Sequence, residues 1–397
     1  MGYFTVQLPL SKSVGARMLV IGGLCGVMPE RLLPCAGGLC DDLRVMAGAC
    51  RVLAGGTGGE AVIDLGDSGT AKRMLTAVFG CLDGWRVRLR QSARLAQRGL
   101  GRLPEDLQAL GAGSVRQEGN VLIVNGRRPE KSLLDTSFEL TSQTLSGLML
   151  VAPLCGGLGI SWSRLVSAPY VRMTAELMRR QGVAVALDDR HVRVSGEPYV
   201  APTGAAMERD WSAASYAYEC VAATGRSVLL PGLSPDSLQG DAEVARIFEV
   251  FGVLTVARDG GVLLVRREVD RAPLLLDCDT TPDLMPAVTV AAVLLRKPLT
   301  ITGIGHLRHK ESDRISALAE ELAKVGVELA TTDDSLTYRG EAWHAPTALF
   351  AAHGDHRMVM SLAPLCGGAE GFDHPEAVGK SYPEFFNQFA PLLCLER

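Results

Sequence analysis

No apolar run in the 397 residues approaches the roughly 20 needed to cross a bilayer; the longest, around Ala287–Leu295, is about half that. The N-terminus, Met1-Gly2-Tyr3-Phe4-Thr5-Val6, has no basic region and no cleavage site. It also lacks the Ser or Thr that a myristoylation signal places at position six, so no membrane partner and a cytoplasmic location are expected. The ten cysteines form no C-x-x-C pair. Cys25, Cys155, Cys220 and Cys366 lie inside apolar runs, the setting of reduced core thiols, which leaves little for disulfides, redox work or a metal. Positive charge is not in surplus: 40 Lys and Arg against 44 Asp and Glu give a net charge of −4. That balance excludes nucleic acid as the main partner. An anionic substrate must therefore be held by local concentrations of Lys, Arg and helix N-termini.

What is present is an ordinary globular composition, 47% hydrophobic and 21% charged, on a chain long enough for at least two domains. Internal repetition organises it. Four amphipathic helical patterns end in Gly111, Gly182, Gly252 and Gly326, spaced 71, 70 and 74 residues apart. Glycine after a last helical turn supplies a left-handed C-cap without steric cost. Three of these glycines precede strand–turn–strand patterns: VAVALDDRHVRV from Val183, VLTVARDGGVLLV from Val253 and VELATTDDSLTY from Val327.

A second helix type opens with small polar residues and turns apolar nearly all round. It recurs as Ser11–Leu24, Asp67–Gly80, Thr141–Leu154, Asp210–Ala223, Thr280–Leu295 and Gly354–Leu365. Such helices belong inside a lobe, with only their N-termini reaching the surface. Six units group as three plus three, dividing near Glu208–Asp210. Polar N-termini directed at a common cleft would make an anion site from unpaired N–H groups and helix dipoles.

The charges follow this plan. Ser13 and Arg17 are four apart and share a helix face, with Lys12 just before it. Gly69, in Asp67-Ser68-Gly69-Thr70, lets a backbone N–H approach a phosphate closely. Thr141, Ser142 and Gln143 offer two hydroxyls and an amide, although capping alone accounts for such residues. In His306-Leu307-Arg308-His309-Lys310-Glu311-Ser312-Asp313-Arg314, Glu311 lies four before Ile315 and Arg314 four before Leu318. If that run is helical, both extend the inward stripe, and cations placed against the dipole ask for a bound anion. Arg357 repeats the theme after Asp355, and Lys380 lies in a Gly-Lys-Ser-Tyr-Pro loop that lacks P-loop spacing. Asp283, after Pro282, is either a helix cap or a general base; Arg94 and Arg98 precede another helix.

Over essentially its whole length the chain resembles the 3-phosphoshikimate 1-carboxyvinyltransferase (5-enolpyruvylshikimate-3-phosphate synthase) family. The motifs carrying the resemblance are, in order, SKSVGAR, DSGTA, RLAQRGLG, LTSQ, SAPYVRMT, ERDWSAASY, DSLQGD, TPDLMP, RHKESDR, GDHRM and GKSYPEFF. The resemblance implies an α/β fold of two similar lobes, each of three βαβαββ units with buried helices, an inside-out α/β barrel. The first lobe would span residues 11–209 and the second residues 1–10 and 210–397. The implied activity is transfer of the carboxyvinyl group of phosphoenolpyruvate to the 5-hydroxyl of shikimate 3-phosphate, by a monomer without metal or organic cofactor.

By the same resemblance, Lys12, Ser13, Arg17, Thr141, Ser142, Ser167, Asp283, His306 and Lys310 would meet shikimate 3-phosphate. Lys12, Gly69, Arg94, Gln143, Arg314, Arg357 and Lys380 would surround phosphoenolpyruvate. Asp283 would face the 5-hydroxyl and Glu311 the phosphoenolpyruvate methylene, with Lys12 and Lys380 sharing the proton steps. The chain departs from the family's usual residues at Gly15-Ala16, Asp67-Ser68, Gly99, Thr141 and His306. These bear on local contacts and affinity, not on the reaction class. Two alternatives stand beside this reading: a related transferase acting on UDP-N-acetylglucosamine, and an inactive anion-binding relative. The first would show a Lys-Asn pair where this chain has Lys12-Ser13, and a reactive loop cysteine; the second should have lost some of Lys12, Asp283, Glu311, Arg357 and Lys380.

Overall fold

Polar side chains cap four of the six buried helices. The computed structural model describes residues 2–33, 38–204, 207–258 and 260–393. In it Ser68 accepts the N–H of Ala71 at 3.2 Å, Thr141 that of Thr144 at 3.3 Å and Asp210 that of Ala213 at 2.8 Å. Each satisfies one of the donors that the first turn leaves unpaired. The resulting helices are Lys12–Leu24, Gly69–Gly80, Ser142–Val151, Trp211–Thr224, Met285–Leu295 and His356–Cys366. All six are almost wholly enclosed; in the fifth every residue from Met285 to Val293 is buried. At ~1.5–3 kcal/mol for each fully buried Val, Leu or Met, these central helices dominate the stability of their units.

The amphipathic helices Leu103–Ala109, Ala168–Arg180 and Arg314–Ala323 are buried on one side only. Gly111, Gly182, Gly252 and Gly326 have φ of 67°, 84°, 75° and 80°, the left-handed conformation that a glycine C-cap adopts readily. The hairpins that follow three of them pair Val185–Leu187 with His191–Ser195, Val253–Arg258 with Gly261–Arg266, and Ala330–Thr331 with Ser335–Tyr338. Asp259, in the second turn, lies outside the described residues.

Four sheets repeat one strand order, two parallel strands and then an antiparallel hairpin whose second strand pairs beside them, and in three of the four a buried helix joins the parallel strands. Gly59–Asp64 runs parallel to Trp85–Arg90, for example, and Val121–Asn125 lies between Trp85–Arg90 and Ser114–Glu118. The chain divides into two compact units, residues 12–207 and residues 1–11 with 208–397. In the second of these, Phe4–Thr5 supplies the parallel edge strand to Val228–Pro231. Each unit holds two of the sheets.

One copy in each unit is built differently from the full βαβαββ repeat. The helix pair Lys12–Leu24 and Asp41–Ala54, and the pair His356–Cys366 and Phe385–Leu393, carry no multi-residue strand among the described residues. An isolated bridge, Phe350 to Phe372, stands beside the second pair. The linking segments hold Gly26, Pro29 and Pro34 in one case and Gly367, Gly368 and Pro375 in the other. Those residues weaken a ladder by removing donors or by costing entropy.

Candidate active site

In the unit of residues 208–397, three segments converge on one side chain. The guanidinium of Arg314 donates Nε to Asp355 Oδ2 at 2.8 Å, Nη1 to Asp283 Oδ1 at 2.8 Å and Nη2 to Glu311 Oε2 at 2.9 Å. Asp283 opens the short 3-10 turn Pro282–Leu284 that leads into Met285–Leu295. Its other oxygen accepts from Arg357 Nη2 at 2.6 Å. Glu311 Oε1 accepts from Lys380 Nζ at 3.0 Å. Asp355 caps His356–Cys366 through Arg357 N at 3.0 Å, so one carboxylate both starts that helix and anchors Arg314.

The side chain of Arg314 is 2% exposed and that of Asp355 0%, whereas Asp283 is 18% and Glu311 12% exposed. Asp283 and Glu311 are therefore more accessible than the Arg314 and Asp355 side chains behind them. Burial alone would lower the pKa of Arg314, but Asp355, Glu311 and Asp283 together outweigh it and hold the guanidinium charged. Burial pushes the Lys310 ammonium below its ordinary value, with Asp283 pulling the other way. The His306 imidazole is also pushed down, by burial first and by Lys310 second, and its Nε2 makes no hydrogen bond. Asp241 approaches the same cluster: burial, then the charge of Asp283, raises its pKa to about 7.

Helical spacing puts Glu311 and Arg314 on the inward stripe; the structure keeps only Arg314 on the helix. Asp313 accepts the N–H of Ser316 at 3.1 Å and caps the helix, which begins at Arg314. Glu311 lies in the preceding turn and takes its direction from Arg314 and Lys380 rather than from a helix face. Asp283 is no helix cap: both its carboxylate oxygens are bound by arginines.

The unit of residues 12–207 holds a second group. Gln143 donates Nε2 to Thr70 Oγ1 at 3.0 Å and accepts from Arg73 Nη1 at 3.0 Å, joining the N-terminal turns of Gly69–Gly80 and Ser142–Val151. A methyl group on Gly69 would lie 3.2 Å from Arg98 Nη1 and 3.5 Å from Arg73 Nη1, so the glycine keeps two guanidinium groups close to a helix N-terminus. Arg94 turns elsewhere and pairs with Asp67 at 3.5 Å, both side chains being at least 40% exposed. Arg98, Arg73 and Asp355 are thus the residues that the sequence reading left out of the site. The opposed cations of the RLAQRGLG and DSGTAKR segments were the signal for the first two.

Lys12 pairs with Asp42 at 3.1 Å. Arg17 is fully enclosed, donating Nε to Thr174 Oγ1 at 2.6 Å, Nη1 to the Ser13 carbonyl at 2.8 Å and Nη2 to Ser146 Oγ at 2.9 Å and the Tyr170 carbonyl at 3.2 Å. Burial lowers its pKa to about 10. Those bonds engage four of the five guanidinium N–H groups, so Arg17 orders the walls around it. Thr141 has its hydroxyl on Thr144 as a cap, and Ser142 is buried beside it. Ser167 adopts φ 59°, ψ 49° between Gly157–Val166 and Ala168–Arg180. A non-glycine residue in that region is strained by about 1–3 kcal/mol, a cost that recurs at ligand sites. Glu320, Glu321 and His353 have the chemistry of metal ligands, but Lys324 Nζ already neutralises Glu321 at 2.7 Å.

Known proteins are similar to this chain over most of its length. A family profile described as EPSP synthase (3-phosphoshikimate 1-carboxyvinyltransferase) matches residues 41–389. A 3-phosphoshikimate 1-carboxyvinyltransferase from Bacteroides fragilis is 34% identical over 396 residues, covering 96% of this chain and 93% of its own. One from Methanosarcina acetivorans is 34% identical over 353 residues, covering 84% and 79%. The solved structure of an EPSP synthase from Acinetobacter baumannii matches with a TM-score of 0.70 at 20% identity, covering 98% of this chain and 96% of that one, a likeness of fold. The molecule is a two-unit α/β transferase. It belongs to the EPSP synthase (3-phosphoshikimate 1-carboxyvinyltransferase) family, which serves the shikimate pathway of aromatic amino acid biosynthesis.

Proposed function

We propose that this chain transfers the carboxyvinyl group of phosphoenolpyruvate to the 5-hydroxyl of shikimate 3-phosphate, with Glu311 and Asp283 handling the protons. The observation that carries the assignment is Arg314, one buried guanidinium bonded to both carboxylates and to Asp355. Addition of a proton to the methylene carbon leaves a cation-like centre at the neighbouring carbon, which the hydroxyl attacks as it loses its own proton. The tetrahedral adduct then expels phosphate while the methyl group gives a proton back. One group must act at carbon and another at the hydroxyl. Glu311, beside Lys380, is assigned the carbon and Asp283 the hydroxyl.

Fixed cations hold the anionic groups without reorganising during the reaction. Arg314, Arg357 and Lys380 serve phosphoenolpyruvate, as do Lys12, Gly69 and Gln143; Arg98 replaces Arg94 in that role because its guanidinium lies at Gly69. Lys12, Ser13, Thr141, Ser142, Ser167, His306 and Lys310 serve shikimate 3-phosphate, and Arg17 holds the backbone of Ser13 and Tyr170 in place. We assign the working form as a cytoplasmic monomer. All eight described cysteines are free, and no described helix is long and apolar enough to cross a membrane.

The test is phosphate release with phosphoenolpyruvate and each acceptor in turn. Release that requires shikimate 3-phosphate is expected. Release only with UDP-N-acetylglucosamine, or none with either acceptor, overturns the assignment.

A further inference from the structure

Two cysteines stand at the ends of the paired helices opposite Gly69 and Gln143. Gly69–Gly80 and Ser142–Val151 pack closely: a methyl group on Gly147 would lie 2.8 Å from the Met74 carbonyl oxygen and 2.8 Å from Ala77 Cβ. Their N-terminal turns are joined by Gln143 and Thr70, so the helices run side by side in the same direction. Cys81 is the C-cap of the first. Cys155 closes the 3-10 turn Ala152–Cys155 that continues the second. The Cys155 thiol donates to the Cys81 carbonyl oxygen at 3.6 Å, which sets the second cysteine's sulfur against the residue that carries the first.

The pair is asymmetric. Cys81 is 1% exposed, whereas Cys155 is half-buried and open to a small reagent. The neighbouring Cys81 side chain favours the Cys155 thiolate, and Arg128 adds to the effect; Cys155, with burial, keeps Cys81 protonated. The other half-buried thiols, Cys25 and Cys366, are both pushed up by burial, so their reactive thiolates are scarcer.

We propose that Cys155 and Cys81 form an oxidative modification site, in which Cys155 is the attacking thiol and Cys81 the resolving one, for a low-molecular-weight disulfide such as oxidised glutathione. The Cys155 thiolate attacks one sulfur of the reagent, forming a mixed disulfide and expelling one glutathione thiolate. The Cys81 sulfur then attacks Cys155 Sγ, and its proton leaves with the second glutathione as thiol. The protein loses two protons and two electrons, which one glutathione disulfide takes up in becoming two glutathione thiols.

The experiment treats the full-length protein with oxidised glutathione, alkylates the remaining thiols and maps peptides by mass spectrometry. The expected result is a reagent-dependent peptide pair linking Cys81 to Cys155, reversed by dithiothreitol and formed before any modification of Cys25 or Cys366. Cys81→Ser should instead accumulate glutathione on Cys155, and Cys155→Ser should leave Cys81 alkylatable. The wild-type time course alone decides the matter should either variant fold poorly. Full alkylation of both cysteines after the challenge, or faster modification at Cys25 or Cys366, overturns the proposal.

Discussion

Asp283 and Glu311 share one guanidinium: Arg314 donates Nη1 to the first at 2.8 Å and Nη2 to the second at 2.9 Å. Planar guanidinium geometry therefore fixes how far apart the two carboxylates sit, and Asp355 behind Arg314 fixes the guanidinium. Substitution of Arg314 by methionine keeps the apolar stem and leaves three carboxylates facing each other. Removing one partner of a buried ion pair costs about 3–5 kcal/mol. Denaturant unfolding should show a loss of that size, and turnover should fall with it. An unchanged unfolding midpoint would mean that the bridge contributes nothing to stability.

Arg98 and Arg94 separate the sequence reading from the geometric one. Arg98 approaches Gly69 at a helix N-terminus, whereas Arg94 makes an exposed pair with Asp67. Exposed pairs are worth about 0–1 kcal/mol, whereas truncating one partner of a desolvated charge pair costs ~2–5 kcal/mol of binding. Arg98→Ala should raise the KM for phosphoenolpyruvate far more than Arg94→Ala does. Steady-state kinetics on the two variants decides between them, and equal effects would return Arg94 to the site.

Lys72 ties the segment carrying Arg98 to the same helix. Its buried ammonium donates to the carbonyl oxygens of Leu95 at 2.8 Å and Arg98 at 2.5 Å. Burial first, then the charges of Arg73 and Arg98, push its pKa from 10.5 down to about 8. Between those two values the folded chain has released a proton that the unfolded chain keeps, so stability rises with pH. The contribution is complete above the unfolded value and is lost as pH falls through the folded one. Measured against Lys72→Met, the wild type should gain unfolding free energy on going from neutral pH to about pH 10. A constant difference between the two proteins would place no titrating amine at this position. The same variant should raise the phosphoenolpyruvate KM by loosening the Arg98 backbone.

Much of this was legible in the sequence because it depends on local physics. The six apolar helices, the glycine C-caps and the hairpin turns are written in periodicity and in residues that tolerate positive φ. One copy in each unit departs from that pattern because its helices repeat while its strands do not. Glu311 joins the cluster from off the helix, held by side chains 3 and 69 residues away, a placement that helical spacing does not report. Asp355 looked like a cap and is one, but its bond to Arg314 joins positions 41 residues apart, which no periodicity reports. Arg17 illustrates the converse, a motif arginine that the fold encloses almost completely.

The central claim is that Glu311 works at carbon and Asp283 at the hydroxyl, and deuterium exchange into the phosphoenolpyruvate methylene in heavy water tests it most directly. Glu311→Gln and Asp283→Asn keep shape and remove proton transfer, and each should lower turnover by about 10²–10⁴. Only the group that acts at carbon must support the exchange. The account predicts that Glu311→Gln suppresses deuterium incorporation strongly and that Asp283→Asn suppresses it less. Wild-type exchange in Glu311→Gln would contradict it, and Lys380, 3.0 Å from that carboxylate, would take the role at carbon.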